Sequence, residues 1–101
     1  MCRKRFGGSG SALSPVEAGA FSWTRGADEL TRFGQEWGLG FCRTCGSTLV
    51  GFKGPEVVGV TLATLDGDPD VRIRQHLFVG SKPRWHEIGD DAPQHEEWPT
   101  E

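Results

Sequence analysis

Trp37-Gly38-Leu39-Gly40-Phe41-Cys42-Arg43-Thr44-Cys45-Gly46-Ser47-Thr48-Leu49-Val50-Gly51-Phe52 is the stretch on which the reading of this chain turns. Two apolar runs, Trp37 to Phe41 and Thr48 to Phe52, flank a tight corner that carries two cysteines three positions apart, with Gly46 directly after the second. Branched and aromatic residues favour a pleated strand, and a glycine-containing corner between two such runs predicts a hairpin. In a Cys-x-x-Cys-Gly corner the backbone amides face the sulfurs, and the pair grips one zinc ion. The rival reading is a redox pair, which usually sits where a strand feeds a helix, because the helix N-terminus lowers a thiol pKa. Thr48 to Phe52 reads as strand, so the spacing favours zinc.

Working outward, Lys53-Gly54-Pro55 closes the hairpin, and the stretch from Val57 to Leu65 is the most β-prone of the chain, predicting a buried central strand. Asp66 to Asp70 is an acidic turn. A calcium loop is the tempting alternative, but the later glutamate of a helix-loop-helix site is missing from the spacing. Arg72 to Val79 alternates, with Ile73, Gln75, Leu77 and Val79 on one face and Arg72, Arg74, His76 and Phe78 on the other, and predicts another strand. On the N-terminal side, Ala18 to Thr24 and Glu29 to Phe33 are strand candidates separated by the turn residues Arg25 to Asp28. Phe6 to Ser14 is rich in Gly and Ser and reads as loop, punctuated by Pro15. Trp85 to Ile88 predicts a single turn, followed by an acidic tail, residues 89–101, that Trp98 pins to the body.

The bulk numbers fit one domain of short strands and many turns. A chain of 101 residues is near the commonest domain size, and 15 Gly suit short strands and many turns. A net charge of -3 gives no domain-wide attraction for a nucleic-acid backbone. Arg3, Lys4 and Arg5 form a basic cluster, but no aromatic platform is interleaved with it, so it reads as a solvated segment. No run approaches the ~20 apolar residues that cross a bilayer, and the basic start lacks the apolar core of a signal peptide. Three cysteines do not make a disulfide framework, and reduced thiols place the protein in the cytoplasm. A closed zinc site takes four ligands; one Cys-x-x-Cys pair supplies two, and Cys2, His76, His86, His95, another chain or residues beyond this sequence remain open as sources of the rest.

Phe41 to Ser47, with its Cys-x-x-Cys-Gly, is similar to the second half-site of the glutathione-dependent formaldehyde-activating (GFA) family. Val60-Thr61-Leu62-Ala63-Thr64-Leu65-Asp66 resembles that family's central strand, and Gln75-His76-Leu77-Phe78-Val79-Gly80-Ser81-Lys82-Pro83-Arg84-Trp85 its closing signature. The order and spacing of three motifs, covering most of the chain from Cys2 on, make the resemblance fairly specific. It implies a single CENP-V/GFA-like domain over 1–101 with an all-β, β-tent architecture and short antiparallel strands. It also implies zinc held by Cys42 and Cys45 in a structural site, and Met1-Cys2-Arg3-Lys4 looks like the end of a second motif, in which Cys2 is the last cysteine around the zinc used in catalysis. By the same resemblance Met1 corresponds to an internal position of longer members, with four family cysteines upstream and both zinc sites incomplete. The implied activity is that of a carbon-sulfur lyase acting on glutathione-aldehyde adducts of the S-hydroxymethylglutathione type. Glutathione or a similar small thiol adduct is then the partner, with neither nucleic acid nor membrane involved. Early strands missing from such a domain leave a sheet edge that recruits a second copy. The alternative is a non-catalytic, zinc-supported binding or scaffold module.

Overall fold

A computed structural model of the chain describes residues 7, 8 and 10–99. Among these residues the chain divides into two compact units: one spans Ala12–Pro69, and the other joins the described residues before Ala12 to those from Asp70 on.

The first unit is a five-stranded antiparallel sheet. Its strands are β1 (Leu13–Pro15), β2 (Leu30–Gly34), β3 (Trp37–Cys42), β4 (Thr48–Lys53) and β5 (Glu56–Thr61), and their order across the sheet is β1-β5-β4-β3-β2. From β2 to β5 each strand pairs with its neighbour in sequence, as tight connections of two to five residues require of antiparallel strands. The hairpin read from the sequence is β3-β4. β5 lies inside the sheet, between β1 and β4, while β4 occupies the middle.

Burial alternates along the two inner strands, as a period-2 structure demands: Thr48, Val50 and Phe52 on β4 and Val57, Gly59 and Thr61 on β5 are buried. Val50, Phe52 and Val57 form the core, and Phe21, Leu30, Leu49 and Val60 pack against it. Gly40 on β3 makes this packing possible, since a Cβ there would stand 2.8 Å from Val50 Cγ2 and 2.9 Å from Phe52 Cε2. Arg32 lies with its guanidinium 4.5 Å from the centroid of the Phe52 ring. From there it donates to the carbonyls of Gly34, Gln35 and Gly54, tying the β2-β3 turn to the β4-β5 turn.

Three expectations about elements are corrected. Ala18 to Thr24 is not a strand: Ala20 N–H donates to Glu17 O (3.0 Å) and Gly19 takes φ 84, so the backbone turns there. Phe21 and Trp23 meet edge to face at 4.9 Å, which gives the apolar run a packing role instead. The run from Val57 stays extended only to Thr61, because Leu62–Thr64 winds into a 3-10 turn in which Thr64 Oγ1 donates to Thr61 O at 2.8 Å. The Gly/Ser-rich segment expected to be loop, Phe6 to Ser14, runs at its end into β1, which pairs with β5 from Leu13↔Thr61 to Pro15↔Gly59.

In the second unit Arg72 to Val79 is not a strand either. It makes one isolated parallel bridge, His76↔Gln94, and then turns at Phe78, whose φ is 58. Backbone bonds follow the bridge: His76 N–H to Pro93 O, His95 N–H to His76 O, Phe78 N–H to Glu97 O and Val79 N–H to His95 O. The acidic tail is therefore laid along residues 76–80, and Trp98 packs edge to face on Phe78 at 5.0 Å. The single turn expected over Trp85 to Ile88 forms two residues earlier, over Pro83 to His86, where His86 N–H donates to Pro83 O at 3.2 Å.

Candidate metal centre

The Cys42–Cys45 corner is built by three local devices. Cys42 is the last residue of β3; its N–H donates to Ser47 O at 2.9 Å, and Gly46 N–H returns to Cys42 O at 2.7 Å. Gly46 sits at φ 80, in the left-handed region that a glycine enters without steric cost. Just before the corner the β3-β4 register slips, from Gly40↔Val50 to Phe41↔Thr48, leaving Leu49 as the extra residue of a bulge. A bulge re-aims the chain beyond it, here the segment that carries the thiols.

The result is a half-buried Cys42 beside an exposed Cys45, both as free thiols. The Cys42 pKa is lowered, first by the backbone amide of Cys45, then by that of Thr44 and by the Cys45 side chain, against an opposing effect of burial. Amides aimed at a sulfur favour its anionic form, which is the form that binds a metal.

Glu29 adds a part that no sequence motif announces. It ends a 3-10 turn, Ala27–Glu29, immediately before β2, and the β2-β3 register sets Leu30 opposite Cys42. Its carbonyl accepts Arg43 N–H at 2.9 Å. Its carboxylate accepts Arg43 Nε at 2.5 Å and Thr44 Oγ1 at 3.2 Å.

The donor chemistry at this corner fits zinc, with two thiols in a turn whose amides face sulfur, but it is half of a closed four-ligand set. Among the described residues no three His, Cys, Asp or Glu side chains lie close enough together to hold a metal ion. Cys2, read from the sequence as a further ligand and catalytic remnant, lies outside the described residues, as do Arg3, Lys4 and Arg5. The histidines have other occupations. His76 Nε2 lies 2.9 and 3.1 Å from the two carboxylate oxygens of Asp90, and Trp85 meets the His86 ring edge to face at 6.4 Å. His95 is half-buried and engages its backbone with His76 and Val79.

The family model described as glutathione-dependent formaldehyde-activating enzyme matches residues 1–81. This chain belongs to the GFA family. Neither the comparison with curated proteins nor that with solved structures gives a match. The matched span of this GFA-family chain takes in Cys2, the whole Cys42–Cys45 corner, the sheet and the start of the closing signature as far as Ser81. Membership ties the chain to glutathione- and formaldehyde-related chemistry, and the all-β sheet agrees with a GFA-type domain. Among the described residues no helix is long and apolar enough to cross a membrane.

Proposed function

We propose that this GFA-family chain carries a zinc-binding half-site at Cys42 and Cys45 and serves carbon-sulfur bond chemistry on glutathione-aldehyde adducts of the S-hydroxymethylglutathione type. The observation that carries the reading is the corner itself: two thiols on one Gly46-closed turn, with amides facing the Cys42 sulfur, inside a chain matched to the family over residues 1–81. Zinc, when bound, supplies a Lewis acid that keeps thiols deprotonated at neutral pH and polarises an aldehyde oxygen. The chain's own part is to turn backbone amides towards the Cys42 sulfur, which favours its anionic form, and to keep both sulfurs on one short turn. Cys2 joins the proposal as a further ligand. A site of free thiols suits the reducing cytoplasm, where we place the protein.

A second reading, a zinc-supported scaffold, draws on β2. It is an outer strand of the sheet, with Phe33 57% exposed and Trp37 on the adjoining strand 56% exposed. An outer strand of this kind takes a further strand from another chain, here a second copy.

The test is elemental zinc analysis on protein purified without chelator, paired with the rate of S-hydroxymethylglutathione formation from glutathione and formaldehyde. Tightly held zinc, with a rate above the spontaneous one that falls to background in Cys42→Ala, is the expected result. Zinc retained without any rate effect, in a species heavier than the monomer, selects the scaffold. A folded, zinc-free protein with no rate effect removes both.

A further inference from the structure

We infer that Glu29 is a positioning residue for the Cys42–Cys45 turn, acting as a clamp that holds the two residues between the thiols in place before any metal arrives; the inference rests on the zinc reading above. Arg43 and Thr44 are the residues between the two cysteines, and Glu29 holds both. It takes the Arg43 N–H on its carbonyl (2.9 Å), the Arg43 guanidinium on Oε2 (2.5 Å) and the Thr44 hydroxyl on Oε1 (3.2 Å).

The ion pair alone would signify little, because its side chains are 62% and 43% exposed and surface pairs contribute weakly to stability. Its meaning lies in where the contacts converge. Three hydrogen bonds from one residue fix the backbone and both side chains of a two-residue segment, and that segment alone separates the sulfurs. Glu29 is itself anchored, since its N–H donates to Gly26 O at 2.9 Å and the following residue, Leu30, is paired with Cys42. The clamp therefore links the corner to β2 as well as to β3 and β4. The amides that face the Cys42 sulfur belong to Thr44 and Cys45, so fixing Thr44 fixes the orientation of those donors too.

A metal site ordered in advance spends less binding energy on fixing its ligands. Outer partners that orient metal ligands typically change metal affinity by about 10–100-fold when removed. Glu29 differs from such partners in acting on the spacer between the ligands instead of on a ligand atom.

The experiment titrates the full chain with Co(II) as a spectroscopic probe, following sulfur-to-cobalt charge-transfer absorption and competing with zinc. Wild type is compared with Glu29→Gln, Glu29→Ala and Arg43→Ala, and urea denaturation of each metal-free protein runs in parallel. The expected result is thiolate-cobalt absorption in wild type, affinity weakened about 10-fold in Glu29→Ala, and a double variant Glu29→Ala/Arg43→Ala no weaker than the stronger single effect. Urea midpoints should stay within the spread of surface substitutions. Absorption in wild type with unchanged affinity in Glu29→Ala overturns the clamp and leaves the zinc reading intact. Absence of thiolate-cobalt absorption in wild type overturns the zinc reading and the clamp with it. If the Glu29→Ala fold is lost, the milder Glu29→Gln, which keeps an acceptor for Thr44, must still weaken cobalt binding, and equal binding there overturns the clamp.

Discussion

At the scale of single residues, two glycines near the corner serve different physical needs, and substitution separates them. Gly46 occupies φ 80 with open space where a Cβ would stand, so Gly46→Ala meets a conformational cost alone, about 1–2 kcal/mol. Gly40 lies outside the left-handed region but has no room, with Val50, Phe52 and Leu30 side-chain atoms within 3.0 Å of where a Cβ would stand. Gly40→Ala should therefore cost about 1–3 kcal/mol through overpacking. Urea denaturation gives both costs, and paired Co(II) titrations should show Gly46→Ala weakening the metal site more than Gly40→Ala at equal loss of stability. Equal metal affinities would mean that the left-handed turn does not matter to the thiols. Cys42, Cys45 and Gly46 were legible in the sequence because their chemistry is a matter of local spacing. Glu29 was not, because thirteen positions separate it from Cys42 and only the β2-β3 register brings it there.

At the scale of elements, the sheet depends on few buried apolar side chains, with Val50, Phe52 and Val57 as its buried centre. Phe52 also supports the Arg32 guanidinium, whose hydrogen bonds join two turns. Phe52→Ala should cost about 3–5 kcal/mol, a large share of the ~5–15 kcal/mol that holds an ordinary domain together. Far-UV circular dichroism at 25 °C would show a shift towards the unfolded spectrum, while an unaltered urea midpoint would mean that the core lies elsewhere. β2, β3, β4 and β5 could be read because apolar runs and turn residues alternate within a few positions. β1 could not: Leu13-Ser14-Pro15 has little strand propensity, and its extended shape comes from pairing with β5. Arg72 to Val79 shows the reverse case, a strand-like alternation that finds a single parallel bridge instead of a full ladder.

At the scale of the whole molecule, the unit from Asp70 on is held by hydrogen bonds more than by a core, since Val71, Ile73, Leu77 and Phe78 are all exposed. The Asp90 carboxyl pKa is lowered from its usual value, first by the hydrogen bond to His76 and then by that from Ala92 N–H. A depressed carboxylate contributes stability that is present above its unfolded pKa and lost as pH falls through its folded value. Hydrogen exchange at the His95 and Val79 amides, which bond to His76 O and His95 O, should therefore show protection near neutral pH that declines below about pH 4. Asp90→Asn should reduce that protection at neutral pH and flatten its acid dependence, and an Asn variant with the wild-type profile would remove the His76-Asp90 tie from the account. By itself the sequence determined the all-β class, the hairpin, the paired thiols and the family, because each depends on residues a few positions apart. Tertiary structure alone decided the β1-β5 pairing, the Glu29 clamp, the His76-Asp90 tie and the course of the tail along residues 76–80. These join residues that are distant in the chain, and only strand register and backbone hydrogen bonding specify which of them meet.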